Sequence, residues 1–290
     1  MRKWTVFGVV NAGLLILFCL SIIYPFVYLL GLSLSTSASQ YASSKAFSLW
    51  PDQMTLQAYR RFLSMNFVYT GYSVAVFRTV AGTFCSLLIM GLAAYPLSKS
   101  YLPHRKFYTT FFIITLFFSG GLIPTYLLMK NLHLLDNIWV LVVGPLINAF
   151  YLLILRNFFM ALPGELEESA KIDGAGEMRT FFTIILPLSL PALATVGLWT
   201  AVAHWNSWFD SLIYIQSTDK QVISVHIRRL VIEQSASMND MIMGRNGQNQ
   251  TTPESMRAAA IIVTLIPILF VYPFIQKYFV KGVMVGAVKG

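Results

Sequence analysis

The chain has 290 residues, of which 56% are hydrophobic and only 11% are charged, with a formal net charge of +9. A soluble domain of this length would carry about 25% charged residues, so the sequence lacks the charges of a normal solvated surface. This deficit predicts that lipid covers much of the exterior. The positive charge does not indicate nucleic-acid binding, because the basic residues lie between long apolar runs and form no aromatic-interleaved basic domain.

The first predicted element follows the basic residues Arg2 and Lys3. An uncharged run extends from Val6 to Leu34, far beyond the roughly 7–15 apolar residues in the core of a secretory signal peptide. We therefore predict that 6–34 is a retained first transmembrane helix.

Five further apolar runs lie between charged residues and have the length of spanning helices, which need about 20 residues. None of them alternates over about 10 residues as the strands of a membrane barrel do. The predicted fold is an all-α membrane protein with six transmembrane helices in a single domain over 1–290. After the first helix, the predicted spans cover 73–98, 107–129, 137–156, 187–212 and 257–278.

Six spans place both termini on one side of the membrane. With the N-terminus in the cytoplasm, the inner segments are short and denser in Lys and Arg than the long outer loops, as the positive-inside rule requires. We therefore predict cytoplasmic termini, a cytoplasmic loop over 162–186, an extracytoplasmic loop over 213–256 and a cytoplasmic tail over 282–290.

The loop over 162–186 has the pattern of a short helix rather than of an irregular connection. Acidic residues stand at its start, where they suit the helix dipole. Glu167 and Lys171 are four residues apart in the favourable order and predict an ion pair along the helix, and Gly174 then ends it. Small residues beside carboxylates favour docking into a groove of a partner protein, although an ordinary amphipathic connector on the membrane surface has the same pattern.

Two sequence runs around this helix carry a resemblance to a known family. Residues 168–175 read E-S-A-K-I-D-G-A and residues 184–188 read I-I-L-P-L. The pattern resembles the EAA signature of ABC importer permeases, which has E-A-A, then D-G-A, then I-x-L-P, with Ser169 where the family commonly has Ala. Residues 118–126, 205–208 and 286–290 are similar to the carbohydrate-uptake branch, the relatives of the maltose permease subunit MalG that import oligosaccharides or polysaccharide fragments.

The resemblance implies a type I ABC importer permease (MetI-like) fold in a bacterial cell membrane. It implies a second homologous permease subunit, two cytoplasmic ATPase subunits and an extracytoplasmic solute-binding protein as partners. ATP and Mg would be held by the ATPase subunits, and this chain would bind no cofactor or metal. The short helix would be the coupling helix in an ATPase cleft, and its implied ATPase-coupling residues are Glu165, Glu168, Ser169, Ala170, Asp173, Gly174 and Ala175. The tail would contact the ATPase through Gly286, Val288 and Lys289.

Other functional classes fit the sequence less well. The four histidines are scattered and form no H-E-x-x-H motif, and no G-x-S-x-G motif is present, so an enzyme is not indicated. The two cysteines, Cys19 and Cys85, lie in apolar runs without metal-type spacing. The alternative is a stand-alone secondary transporter of a small polar solute. Such proteins usually carry ionisable residues at the midplane of their spans, and here the spans lack charges in their centres.

Aromatic and polar side chains at the end of the fifth span are candidates for the substrate pathway. Sugars present flat apolar faces and hydroxyl groups, which aromatic rings, amides and carboxylates can contact. An aromatic belt that anchors the helix in the membrane interface is the alternative reading, above all for Trp208. The candidate pathway residues are Trp199, Trp205, Asn206, Trp208 and Asp210.

Overall fold

A computed structural model describes residues 5–36, 51, 53–232 and 252–287, and it describes side chains as far as residue 270. Within these ranges the regular structure is helical, apart from an isolated bridge between Ser35 and Met54. In chain order the helices are α1 (Val6–Ser33), α2 (Gln57–Leu63), α3 (Asn66–Ser98), α4 (Arg105–Phe117), α5 (Leu122–Asn131), α6 (Val140–Val143), α7 (Ala149–Met160), α8 (Glu165–Ile172), α9 (Glu177–Thr180), α10 (Leu186–Leu188), α11 (Leu190–Asn206), α12 (Phe209–Tyr214), α13 (Ile223–Ile232) and α14 (Pro253–Ala287). A π-helical turn, Phe181–Ile185, joins α9 to α10, and a 3₁₀ turn covers Thr218–Lys220.

Among the described residues, three helices are long and apolar enough to cross a membrane unaided: α1, α3 and the first part of α14, Pro253–Phe270. Three further crossings are possible if each bent pair of helices counts as one span. The bends are 115° between α4 and α5, 74° between α7 and α8, and 81° between the stretch Glu177–Leu188 and α11. The all-α fold is thus confirmed, and the number of possible crossings, judged by length and composition, agrees with the six predicted transmembrane helices.

The helix boundaries differ from the charge-bounded runs of the sequence. Helix α3 begins at Asn66, seven residues before the predicted span 73–98, and carries Arg78 inside it. A charge can lie within a spanning helix when a partner neutralises it, and Arg78 has such a partner. At the other end of the chain, α14 continues to Ala287, so the helical backbone includes part of the predicted tail.

The chain forms two compact units, of which the first contains residues up to Tyr69 and from His226 to Leu269. Its described contacts join segments that are far apart in sequence. The hydroxyl groups of Ser33 and Tyr59 are 2.5 Å apart, and the rings of Phe67 and His226 stack with centroids 4.9 Å apart. The Nε of Arg257 donates to the carbonyl oxygen of Leu230 at 2.7 Å.

The second unit contains Thr70–Val225 and Phe270–Gly290. Its hydrophobic core lies between α3, α7, the π-helical turn and α11. A Cβ added to Gly197 of α11 would lie 3.0 Å from a methyl group of Leu87, so the two helices pack closely at this point. The buried core residues include Met90, Leu152, Leu155, Phe159, Phe181 and Val196.

A charged residue fastens two loops of the second unit together. Asp136 has a φ of 56°, a conformation that Asp tolerates better than most residues. Its carboxylate accepts hydrogen bonds from the amides of Gln216 and Ser217 at 3.1 and 2.8 Å. It also accepts from the Ser217 hydroxyl at 2.6 Å and from Lys220 Nζ at 3.0 Å. The hydrogen bonds from Ser217, followed by that from Lys220, hold the pKa of Asp136 well below its usual range.

We predict that this loop contact weakens in acid. Because the pKa of Asp136 is lowered in the folded protein, its ionised carboxylate stabilises the contact fully above the unfolded pKa of about 3.9. This stabilisation is lost as the pH falls from the unfolded pKa through the folded pKa. Hydrogen exchange at Gln216 and Ser217, corrected for intrinsic rates, should accelerate as the pH drops from 5 to 3. Asp136→Asn should exchange faster at pH 5 already and depend less on pH. The exposed Asp219→Asn is the control, and the same pH dependence in all three proteins would contradict the assignment.

Candidate functional site

The fifth span ends in a break that presents polar groups. Helix α11 stops at Asn206, Ser207 is extended, and α12 begins at Phe209. Asp210 lies in the first turn of α12, where a carboxylate suits the helix dipole. One of its oxygens, Oδ1, accepts from the Ser207 hydroxyl and from the Ser211 amide, each at 2.9 Å. The break therefore fixes the orientation of a carboxylate in an otherwise apolar region.

Arg78 of α3 reaches this break from the neighbouring helix. Its guanidinium is bidentate on Asp210, with Nη1 3.0 Å from Oδ1 and Nη2 in contact with Oδ2. Nη1 also donates to the carbonyl oxygen of Ser207 at 3.0 Å, a group that lost its helical partner where α11 ends. The Arg78 side chain is 1% exposed and that of Asp210 is 21% exposed. The pair is thus a nearly dry, charge-assisted contact, in which geometry matters more than in a surface pair.

His204 completes the polar group on the α11 side. The Nε of Arg78 donates to Nδ1 of His204 at 3.4 Å, so Nδ1 is the acceptor nitrogen and the ring proton belongs on Nε2. The imidazole lies flat against Gly82 of α3. A Cβ at position 82 would come within 2.5 Å of Cε1 and Nε2 of the ring. Only glycine leaves room for the histidine at this helix contact.

These groups line one side of a half-open cavity of about 190 Å³ within the second unit. Its wall combines a guanidinium, a carboxylate, an amide, hydroxyl groups and an aromatic ring, all of which can contact a polyol. The opposite charges of Arg78 and Asp210 cancel, so the wall has many hydrogen-bonding groups and no formal excess charge. The lining residues are Arg78, Ser86, Met90, Pro145, Asn148, Tyr151, Thr200, Ala203, His204, Ser207 and Asp210.

The structure brings only some of the predicted pathway residues to this cavity. Asp210 lines it directly, and the ring of Trp199 lies against that of the lining residue Tyr151, with centroids 5.7 Å apart. Trp205 lies beside Tyr72, with ring centroids 6.4 Å apart. Among the described residues, Trp205, Asn206 and Trp208 do not line the cavity. On a continuous helix Asn206 and Asp210 would share one face, but the break at Ser207 separates them.

The second predicted site is the short helix α8. Its first turn holds Glu165, Glu167 and Glu168. It ends at a Schellman turn in which the Ala175 amide donates to the Ala170 carbonyl at 2.8 Å and the Gly174 amide donates to the Lys171 carbonyl at 3.0 Å.

Gly174 supplies the positive φ of this turn, 76°, which glycine adopts without strain. The glycine of the signature is therefore explained by backbone geometry as well as by its small size.

The remaining predicted residues of α8 divide by exposure. Glu165, Glu168, Ser169, Asp173 and Gly174 are exposed, whereas Ala170 is buried at 5% exposure. Ala170 therefore packs inside this chain, although the resemblance implied an ATPase contact for it. Ile172 is 87% exposed beside them. The exposed surface of α8 thus combines carboxylates with one apolar side chain.

The predicted ion pair between Glu167 and Lys171 does not form. Glu167 contacts Lys99, which follows α3, and Lys171 pairs with Glu177 at 3.1 Å. The side chains of Glu167 and Lys99 are 13% and 10% exposed. Because screening by water is weaker there, a buried tertiary partner prevails over an exposed neighbour on the same helix.

The predicted tail contacts cannot be compared with side-chain positions. Gly286 lies in the helical backbone of α14, and Val288 and Lys289 lie outside the described residues.

Sequence reasoning missed several cavity residues, namely Arg78, Asn148 and Tyr151. A signal existed for Arg78, which is a lone cation in a helix of 33 mostly apolar residues. A charge in such a position has a functional or pairing role by default. Asn148 and Tyr151 gave no comparable signal, because their neighbours across the cavity come from distant parts of the chain.

Comparison with known proteins gives a consistent result over nearly the whole chain. Residues 54–285 match the family described as "Binding-protein-dependent transport system inner membrane component". The polygalacturonan/rhamnogalacturonan transport system permease protein YtcP of Bacillus subtilis (strain 168) is 42% identical over 289 residues, which cover 99% of this chain and 100% of that protein. The maltodextrin transport system permease protein MdxG of the same organism is 28% identical over 284 residues, covering 95% and 94%. A chain in the crystal structure of a bacterial ABC transporter involved in the import of the acidic polysaccharide alginate has a TM-score of 0.90 and 31% identity, with 96% of this chain and 100% of that chain covered.

We predict that Arg78→Met destabilises the protein strongly, because it leaves the Asp210 carboxylate without its cation. Breaking such a pair costs about 3–5 kcal/mol, whereas replacing both partners by apolar residues is often nearly neutral. Thermal unfolding of the purified protein should therefore show a large loss for Arg78→Met and recovery in Arg78→Met/Asp210→Leu. Lys130→Met, which removes an exposed lysine of α5, is the control. Equal losses in the single and double variants would contradict the pairing.

Proposed function

Because this chain belongs to the family of binding-protein-dependent transport system inner membrane components, we propose that it forms half of the translocation pathway of an ATP-driven carbohydrate importer. The proposed cargo is an oligosaccharide or a polysaccharide fragment. The observation that carries the proposal is the surface of α8, where Glu165 and Glu168 are exposed beside the exposed side chain of Ile172. A connecting helix with this surface is suited to bind another protein.

The proposed partner at α8 is a cytoplasmic ATPase subunit. The sequence has no G-x-x-x-x-G-K-[ST] phosphate-binding loop, so ATP and Mg would be bound by two such subunits rather than by this chain. The assembly would also contain a second homologous permease subunit and an extracytoplasmic solute-binding protein. This arrangement places α8 and both termini in the cytoplasm, which agrees with the density of Lys and Arg in those segments.

The carbohydrate class is supported by the cavity and by the relatives. Tyr151 offers a ring face, and Asn148, Thr200 and Asp210 offer groups that bond to hydroxyls. The names of two similar proteins refer to galacturonan and maltodextrin transport, and the structural relative imports alginate. These cargoes include acidic and neutral glycans. A wall in which the charges of Arg78 and Asp210 cancel would accept the hydroxyl groups of acidic and of neutral glycans.

The proposal is tested with the complete complex, purified from its native membrane with the subunits that accompany it. In proteoliposomes, we expect ATP hydrolysis to rise when the binding protein is added with oligogalacturonides, rhamnogalacturonan fragments or maltodextrins. Labelled glycan should accumulate only with ATP. Uptake that needs no ATPase subunit and follows an ion gradient would contradict the proposal and favour a secondary transporter.

We predict that Glu168→Lys weakens the attachment of the ATPase subunits without preventing membrane insertion. The change reverses one exposed charge on α8, so its main effect should be on a basic partner surface. ATPase subunits that co-purify with the chain should decrease severalfold, and transport should fall in parallel. Glu254→Lys, which reverses an exposed charge in the first turn of α14, is the matched control. Normal co-purification of the ATPase with Glu168→Lys would contradict the role of this residue.

A further inference from the structure

The end of α3 is held by cations from two other helices. The carbonyl oxygen of Leu97 accepts from Arg105 Nε at 2.9 Å and from Arg156 Nε at 3.0 Å. Arg105 begins α4 and Arg156 belongs to α7. The last carbonyls of a helix lack intrahelical partners and carry partial negative charge, so these contacts stabilise the end of α3 and fix its position relative to both helices.

The residue that follows α3, Lys99, connects this end to α8. Its ammonium contacts the Glu167 carboxylate, and it also lies 4.4 Å from the centroid of the Tyr95 ring. The contact is largely shielded from solvent. A shielded pair with a cation–π contact holds its geometry better than an exposed ion pair does.

A second carboxylate supports the same connection from the other side of the Schellman turn. Glu177 accepts from the hydroxyls of Tyr95 and Tyr101, each at 2.9 Å. Its partner Lys171 lies 4.9 Å from the centroid of the Tyr101 ring. Burial, followed by the hydrogen bond to Glu177, raises the pKa of Tyr101, so this hydroxyl remains a donor at neutral pH. We call Lys99, Glu167, Lys171 and Glu177 the α8 charge cluster.

The carboxylates of α8 thus have two different tasks. Glu167 points into the chain and is satisfied there, whereas Glu165 and Glu168 are exposed. The cluster contains two cations and two carboxylates, so it has no net charge. A partner protein would be attracted to the exposed carboxylates rather than to the cluster.

Helix α3 reaches from this cluster to the cavity without interruption. Ser98 follows Arg78 by 20 positions in the helix, which is about 30 Å of helical rise. One end is fastened through Lys99 to α8, and Arg78 is fastened to the break between α11 and α12. The same continuous helix therefore contacts both candidate sites.

We propose that Lys99 and Glu167 are positioning residues that join α8 to α3, so that a displacement of α8 moves α3 and the Arg78–Asp210 pair at the cavity. This inference rests on the proposed function, since it takes the partner at α8 to be an ATPase. It predicts that breaking the contact between Lys99 and Glu167 lowers both glycan-stimulated ATP hydrolysis and uptake while the ATPase stays bound. A loss of docking, as predicted for Glu168→Lys, is a different outcome.

The test is a charge exchange between the two residues in the complete complex. Glu167→Lys and Lys99→Glu each place like charges together, and the double variant restores an opposite pair in reversed order. We expect each single variant to keep its ATPase subunits but to lose about tenfold in glycan-stimulated ATP hydrolysis and uptake, and the double variant to regain most of both, as coupled sites do in a double-mutant cycle. Glu167→Gln, which keeps the shape of the side chain, should give an intermediate loss. Losses in the double variant equal to the product of the single losses would overturn the proposal.

A second measurement does not depend on transport. Hydrogen exchange of the α8 amides in the same complexes should be faster in the single variants and return toward the wild-type rate in the double variant. Glu254→Gln, which changes an exposed carboxylate in the first turn of α14, should leave these rates unchanged. If the wild-type complex transports no glycan while the exchange pattern appears as expected, the proposed function fails, but the connection of α8 to α3 through Lys99 and Glu167 is supported. If α8 exchanges equally in all variants, that connection is refuted, whatever the complex transports.

Discussion

The requirement that a cation buried in an apolar helix bundle must be neutralised governs the arrangement around Arg78. Its guanidinium needs a carboxylate with bidentate geometry, which Asp210 provides only because α11 ends before it and α12 restarts the chain in a new direction. The break frees the carbonyl of Ser207, and Arg78 satisfies that group as well. The cation, the break and the carboxylate therefore depend on one another, and the polar wall of the cavity follows from their combination.

The C-terminal end of α3 is held by different means. There the carbonyl oxygen of Leu97 accepts hydrogen bonds from Arg105 and Arg156, and Lys99 pairs with Glu167 of α8. Arg78 and the C-terminal end of α3 are thus held by charge-assisted contacts, while the stretch between them packs through Met90 and Ala94 into the apolar core. Directional contacts at these two points and non-directional packing between them are suited to a segment that moves as one body.

Much of the fold could be predicted from the sequence, because the length and apolarity of a spanning helix are local properties. The helical signature of α8, its acidic first turn and its glycine stop are local as well, and the Schellman turn at Gly174 agrees with them. Pro124 and the pair Pro187 and Pro191 indicate breaks near two of the bends, but the angles of the bends were not predictable, since they depend on how neighbouring helices satisfy the freed carbonyls. Arg78 lies within the predicted span 73–98, but its partner could not be predicted, because Asp210 is 132 residues away in the chain. Glu167 shows the same limit, because the i+4 rule offers Lys171 and only the tertiary structure offers Lys99. Of the candidate pathway, the chemistry of Asp210 was predictable and its cationic partner was not.

The flush contact between Gly82 and the His204 ring has an evolutionary consequence. Gly82 of α3 has only a hydrogen atom where the face of the His204 imidazole packs against it. A mutation that adds a methyl group at position 82 therefore requires a smaller side chain at position 204. The two positions should therefore drift together across descendants of this gene, with glycine retained wherever histidine is retained. A lineage that exchanges the histidine for alanine or serine would be free to place alanine opposite it, and would lose the neutral nitrogen that receives the Arg78 Nε–H. Its cavity would have one fewer fixed polar group, and the selectivity of the permease could change without any substitution among the charged residues.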